Sequence, residues 1–62
     1  MKKEEVQLFE GKCVKIERTN GFVLYGTIEQ VNEDNLLFVT KNGTSIISFD
    51  SIAGIVSRNG VF

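Results

Sequence analysis

An all-β domain of five short strands, preceded by a short N-terminal helix and strongly bent into a barrel, is what this 62-residue sequence predicts. Three observations carry the expectation. From Lys12 onward, apolar runs of strand length alternate with clusters of turn residues. Asn20-Gly21 and Asn42-Gly43 are each flanked by such runs, a strong short-range signal for a hairpin. The run from Asn20 to Asn32 is too long for a flat sheet in so small a domain. It carries Gly26 in its middle, where a strand interior tolerates glycine chiefly for a bend or a close approach.

Each element follows from its residues. Met1 to Glu10 contains good helix formers and neither Gly nor Pro, so a short helix is expected over 1–10, ending before Gly11. An isolated helix of that length is unstable and must dock on something. Val14 and Ile16 alternate with Lys15 and Glu17, the two-residue period of a half-buried strand. Thr19-Asn20-Gly21 then closes a hairpin, with a type I′ turn expected because Asn-Gly tolerates positive φ. The second strand sets Phe22, Leu24, Gly26 and Ile28 on one face and Val23, Tyr25 and Thr27 on the other, and a bend at Gly26 lets it serve both halves of a barrel. Asn32-Glu33-Asp34-Asn35 is a polar turn. Leu36-Leu37-Phe38-Val39 is a continuous apolar run, read as a strand buried on both sides. Lys41-Asn42-Gly43-Thr44 repeats the hairpin signal, and Ile46, Ile47 and Phe49 supply a fourth strand. Asp50-Ser51 marks a one-turn break before a fifth strand over Ile52 to Val56. Arg58-Asn59-Gly60 reads as a closing turn, with Val61 and Phe62 as an apolar tail. The expected organisation is one domain, 1–62, with the helix at 1–10 and an SH3-like or OB-like barrel over 12–58.

Composition narrows the function. A domain this small buries only about 60% of the surface its unfolded chain exposes, so some further source of stability is needed. Cys13 is the only cysteine and there is no histidine, which excludes an intrachain disulfide and an ordinary structural zinc site. Oligomerisation remains. Seven basic and eight acidic residues give a formal charge of −1 and an isoelectric point near 5.2, without the global basic footprint of many nucleic-acid-binding domains. No apolar run reaches the ~18 residues of a membrane span, and Met1 to Val6 lacks the apolar core of a signal peptide. No membrane partner is expected, and the expected location is cytoplasmic. With no histidine to activate Cys13 or a serine, and no Gly-rich phosphate loop, neither an enzyme nor a cofactor is expected.

Gly11-x-x-Val14-x-Ile16, Asn20-Gly21, and Gly26-x-Ile28 followed by Val31-Asn32 together resemble the first motif of the Sm and Sm-like (LSm) superfamily, in a form closest to its bacterial Hfq branch. Leu36 to Val39 and Ile52, Ile55 and Val56 fall where that branch has its later apolar strands, so the resemblance spans roughly positions 11 to 58. It implies a five-stranded Sm-fold barrel whose fourth strand pairs with the fifth of the next subunit, giving a homo-oligomeric ring of about six or seven subunits. It also implies single-stranded RNA binding, of a chaperone-like kind. The sequence departs from the family at the nucleotide contacts. The aromatic two places after the motif's Asp is Asp34, the Lys-His pair is Phe49-Asp50, and the Asp itself is Asn32. The Asp-x-x-Met-Asn loop of other members is here Asn32-Glu33-Asp34-Asn35-Leu36. The usual uridine-binding residues are therefore not retained.

The residues that remain to contact RNA are Asn32, Asn35, Asp50, Tyr25 and Lys15. Asn32 and Asn35 either hydrogen-bond a base edge or fix their own turn. Tyr25 is either a stacking platform for a single-stranded base or a subunit contact. Lys15, with Lys12 and Arg18, forms either a basic face together with Lys2 and Lys3 or a mixed solvated surface among Glu4, Glu5, Glu10 and Glu17. In a six-membered ring Glu33, Asp34 and Asp50 would place roughly 18 carboxylates about the pore. Such a rim would repel phosphate and attract a basic protein segment or a divalent cation; the other reading of these acids is that they simply solvate their turns. The second functional expectation is accordingly an oligomeric protein-binding or structural module that has lost the RNA site.

Overall fold

The computed structural model describes residues 1–57; the closing turn and apolar tail expected at 58–62 lie outside the described residues. One helix, α1 (Lys3–Gln7), precedes five strands: β1 (Cys13–Arg18), β2 (Val23–Val31), β3 (Asn35–Thr40), β4 (Gly43–Ser48) and β5 (Ile52–Ser57). A 3₁₀ turn, Phe49–Ser51, joins β4 to β5. All pairings are antiparallel.

The helix is shorter than the 1–10 expected. The Glu5 carboxylate accepts the Lys2 backbone N–H at 3.1 Å and so satisfies one donor at the first turn. After Gln7 the chain passes through turns to Gly11, whose φ of +81° suits a residue without a side chain. Val6 is fully buried and docks the helix on the sheet.

The strands run in the order β4-β3-β2-β1-β5. A closed barrel was expected; instead the sheet is open, because β4 and β5 are its two ends and do not pair with each other. The second strand was expected to serve both halves of a barrel; in the open sheet it serves two neighbours instead. The first half of β2 pairs with β1, from Val23↔Glu17 to Thr27↔Cys13, and its second half with β3, from Thr27↔Val39 to Val31↔Leu36. Gly26, beside the changeover, provides close approach. A Cβ at this position would collide with the Val39 carbonyl oxygen and lie 3.1 Å from the Phe38 ring. A register shift between Ile28 and Gln30 adds a bulge at Glu29, and bulges bend and twist a strand.

Nine residues form the core: Val6, Val14, Ile16, Ile28, Leu36, Phe38, Ile47, Phe49 and Ile52. Val14 and Ile16 are buried as their alternation predicts. The apolar run of β3 is not buried on both sides: Leu36 and Phe38 are fully buried, whereas Leu37 and Val39 are half-buried. Ile46 points outward and is 69% exposed, so β4 contributes only Ile47 to the core.

Neither hairpin uses a type I′ turn. That turn needs positive φ at both central residues, and no described non-glycine residue has positive φ. In the first hairpin Gly21 N–H donates to the Arg18 carbonyl at 3.0 Å and Arg18 N–H to the Phe22 carbonyl at 2.8 Å. This is a three-residue loop in which Gly21 alone, at φ +91°, takes the left-handed conformation. In the second, Gly43 does so at φ +131°, after Lys41 and Asn42.

Candidate nucleic-acid interface

The turn between β2 and β3 is built by its own asparagines. Asn32 N–H donates to the Asn35 carbonyl at 2.8 Å and closes the turn. The side chains repeat the link, with Asn32 Nδ2 donating to Asn35 Oδ1 at 2.8 Å. Gln30 Nε2 in turn donates to Asn32 Oδ1, also at 2.8 Å. Three carboxamides thus form a one-way relay, Gln30 to Asn32 to Asn35. Both polar atoms of Asn32 are used within it. Asn35 spends its oxygen on the relay, and its Nδ2 donates to no partner among the described residues. An amide oriented by its neighbour and left with a free donor is suited to donate to a carbonyl oxygen such as that on the edge of a base or of a peptide group.

The 3₁₀ turn hangs on the same loop. Phe49 N–H donates to the Asp34 carbonyl at 3.0 Å. The Ser48 hydroxyl oxygen accepts Asp50 N–H at 3.4 Å, and the Ser51 hydroxyl donates to the Ser48 carbonyl at 2.8 Å. Asp50 is thereby held, exposed, on a turn attached to the Asn32–Asn35 loop. At the other end of the 3₁₀ turn, the Ser51 carbonyl accepts Thr19 N–H at 2.9 Å.

The N-terminal segment braces both turns. The Met1 ammonium donates to the Phe49 carbonyl at 3.0 Å. Lys3 Nζ lies 2.8 Å from Glu33 Oε1, the one ion pair among the described residues. That hydrogen bond, followed by the charge of Lys3, holds the Glu33 carboxyl below the ordinary glutamate range. Glu10 reaches over to accept Val31 N–H at 3.0 Å.

The five residues singled out from sequence fall into two groups. Asn32, Asn35 and Asp50 belong to the joined turns. Lys15 and Tyr25 are direct cross-strand neighbours on β1 and β2, on the face opposite Val14 and Ile16, with Val56 next to Lys15 on β5. From Tyr25 to Val31 is about 20 Å of strand. Of the basic residues, Lys3 is engaged with Glu33.

One feature escaped the sequence. Before Thr27 the first half of β2 has no β3 partner, and the space between it and the β3–β4 turn is an open groove of about 510 Å³. Val23, Leu24, Tyr25 and Gly26 line one side, and Thr40, Lys41 and Asn42 the other. The signal for it is a length mismatch: β2 has nine residues against six for β3. Tyr25 is thus a groove wall, with Lys41 as the cation of the same lining, and is not part of the asparagine loop.

No known family model matches this chain, and no curated protein does. Among the described residues no helix is long and apolar enough to cross a membrane.

Proposed function

We propose that this protein is a cytoplasmic Sm-like subunit of SH3-like fold that assembles head-to-tail into a ring and binds single-stranded RNA through the Asn32–Asn35 turn. The observation that carries the RNA reading is the Gln30–Asn32–Asn35 relay, which leaves the Asn35 Nδ2 donor oriented and unspent on a half-buried turn. The Asn35 amide offers a donor to a base edge without a charge, which suits a loop whose other side chains are Glu33 and Asp34. The ring is supported by the two sheet ends. β4 and β5 are each six residues long, and each carries one exposed large apolar side chain, Ile46 at 69% and Val56 at 46%. Free apolar edges of matched length invite pairing with another chain, and pairing β4 of one copy with β5 of the next is heterologous and closes by rotation.

A second reading, an oligomeric module that binds a basic protein segment, draws on a different observation. Glu33, Asp34 and Asp50 gather on the two joined turns, and the cation beside them, Lys3, is already paired with Glu33. RNA binding gains much of its affinity by neutralising phosphates, and these turns have little positive charge to offer.

Fluorescence anisotropy with labelled oligo-U and oligo-A, at low and moderate salt, tests the proposal. Micromolar binding that weakens with salt and is lost in Asn35→Ala is expected. Absence of binding at low salt rejects the RNA reading, and a monomeric mass by analytical ultracentrifugation at micromolar concentration rejects the ring.

A further inference from the structure

The two Asn-Gly turns occupy the same backbone position but hold their asparagines differently. In each, Asn is the third residue of the turn and the following Gly takes positive φ. At the first, the Asn20 side chain is engaged: Oδ1 accepts Phe22 N–H at 3.1 Å. The Gly21 N–H is held by the Arg18 carbonyl at 3.0 Å, and the neighbouring Thr19 N–H is tied to Ser51 of the 3₁₀ turn at 2.9 Å. Of the two strands this turn joins, β1 is paired on its other side with β5 right up to the turn, through Arg18↔Ile52, whereas Val23 to Gly26 of β2 have no β3 neighbour. At the second, the exposed Asn42 carboxamide makes no hydrogen bond among the described residues. Besides the ladder pairing of Thr40 with Gly43, its turn is braced through the Thr40 hydroxyl, which accepts Asn42 N–H at 3.1 Å and donates to the Gly43 carbonyl at 3.2 Å. Gly43 is the last rung of the β3–β4 ladder, and β4 is an end strand with one neighbour. The terminal rung of an end strand is where local opening costs least.

We infer that Asn42, and not Asn20, is a site of spontaneous deamidation in the folded protein. The deprotonated backbone nitrogen of Gly43 attacks Asn42 Cγ. A new N–Cγ bond forms and the Cγ–Nδ2 bond breaks. Ammonia departs with the proton that Gly43 gave up, leaving a cyclic imide. Water then opens that ring at either carbonyl, giving aspartate or isoaspartate. Glycine is the successor that obstructs the attack least, and both turns have it, so the difference lies in what each side chain must first release. Asn20 has to leave Phe22, and Gly21 has to leave Arg18, inside a turn fastened to a third segment. Asn42 needs only a fraying of the sheet end. The product places a new carboxylate beside Lys41 in the groove. Isoaspartate also routes the main chain through the former side-chain methylene, lengthening a two-residue loop that sets the register of β4.

The test is incubation of the full chain at mildly alkaline pH in water enriched in heavy oxygen, followed by site-resolved peptide mapping that separates the peptides of Asn20 and Asn42, and also of Asn59, which lies outside the described residues. In the folded protein Asn42 is expected to convert about tenfold faster than Asn20, the effect of removing a hydrogen-bond restraint of ordinary strength. In urea sufficient to unfold the chain the two rates are expected to converge. Equal rates in the folded state, or faster conversion at Asn20, overturn the inference. So does a preference for Asn42 that persists unchanged in urea, since it would then belong to the local sequence and not to the fold.

Discussion

The two ends of β3 are fastened in opposite ways. At its start, Asn35 is linked to Asn32 by both main chain and side chain. The turn there is further braced by residues distant in sequence, through Lys3–Glu33, Asp34–Phe49 and Glu10–Val31. At its far end the side-chain bonds span only two or three residues, all through the Thr40 hydroxyl. Long-range bonds close large loops and tie a turn to the fold as a whole, so the start of β3 opens only when the sheet does. Local bonds survive or fail on their own. One end is a turn tied to the rest of the fold and the other a locally braced turn, and a single strand of six residues separates them.

The largest expected effect comes from prising the far end away. Gly26 faces the Val39 carbonyl and the Phe38 ring so closely that a methyl group cannot be placed without moving main chain. Gly26→Ala is expected to destabilise the domain by about 1–3 kcal/mol, the usual cost of overpacking. For a domain of this size that is a fall in melting temperature of about 4–8 °C for each kcal/mol. Amide exchange should show where it acts: protection is lost first at Val39 and Thr40, while Val31 and Leu36 keep theirs. Uniform loss along β3 would mean that the two ends are not independent.

Much of this arrangement was legible in the residues, and what was not has a physical reason. The alternation of Val14 and Ile16 with Lys15 and Glu17 gave β1 and its buried face, because period-two burial is a local property of a strand. The Asp50-Ser51 break and the glycine in the middle of β2 were legible for the same reason. Closure of the sheet was not, since pairing between β4 and β5 depends on where two ends meet in space. The turn type at Asn20-Gly21 was misjudged because Asn-Gly also serves a three-residue loop in which only the glycine needs positive φ. The one-sided burial of Leu36 to Val39 escaped because an apolar run does not reveal which face lacks a covering layer. Of the candidate site residues, Asn32, Asn35 and Asp50 were found together, since a polar cluster between apolar runs marks a turn. Nothing local to Tyr25 could show that β3 ends short of it and leaves a groove.

A smaller effect should sharpen the contrast between the ends. Asn35→Ala removes the acceptor for Asn32 Nδ2 and strands that donor on a half-buried turn, for a loss of about 1 kcal/mol. Asn42→Ala, at the far end, removes a carboxamide that bonds to nothing described and should stay within about 0.5 kcal/mol of the parent. Urea denaturation of the two variants side by side measures the difference. A loss at Asn42 equal to that at Asn35 would contradict the assignment of the tied turn to one end.

The smallest effect is also the most specific to the tethered end. Lys3 donates to Glu33 across the helix and the β2–β3 turn, and holds its carboxyl below the ordinary range. A carboxyl depressed in the folded state contributes stability above its unfolded pKa, and the contribution disappears as pH falls through the folded value. The pair therefore helps at neutral pH and is lost in acid. Exposed pairs of this kind are weak and screened by salt, so global unfolding is a poor reporter and the carboxyl itself a good one. In a carbon-detected NMR titration Glu33 should titrate below the ordinary glutamate value, and Lys3→Gln should return it to that value. The Asn32 and Asn35 side-chain amide signals should shift along with Glu33 in the parent, because all three lie on one turn, whereas the Asn42 amide should not respond. If the Asn42 amide follows Glu33 as closely as Asn35 does, the far end of β3 is coupled to the tied turn, and the two ends are not independent.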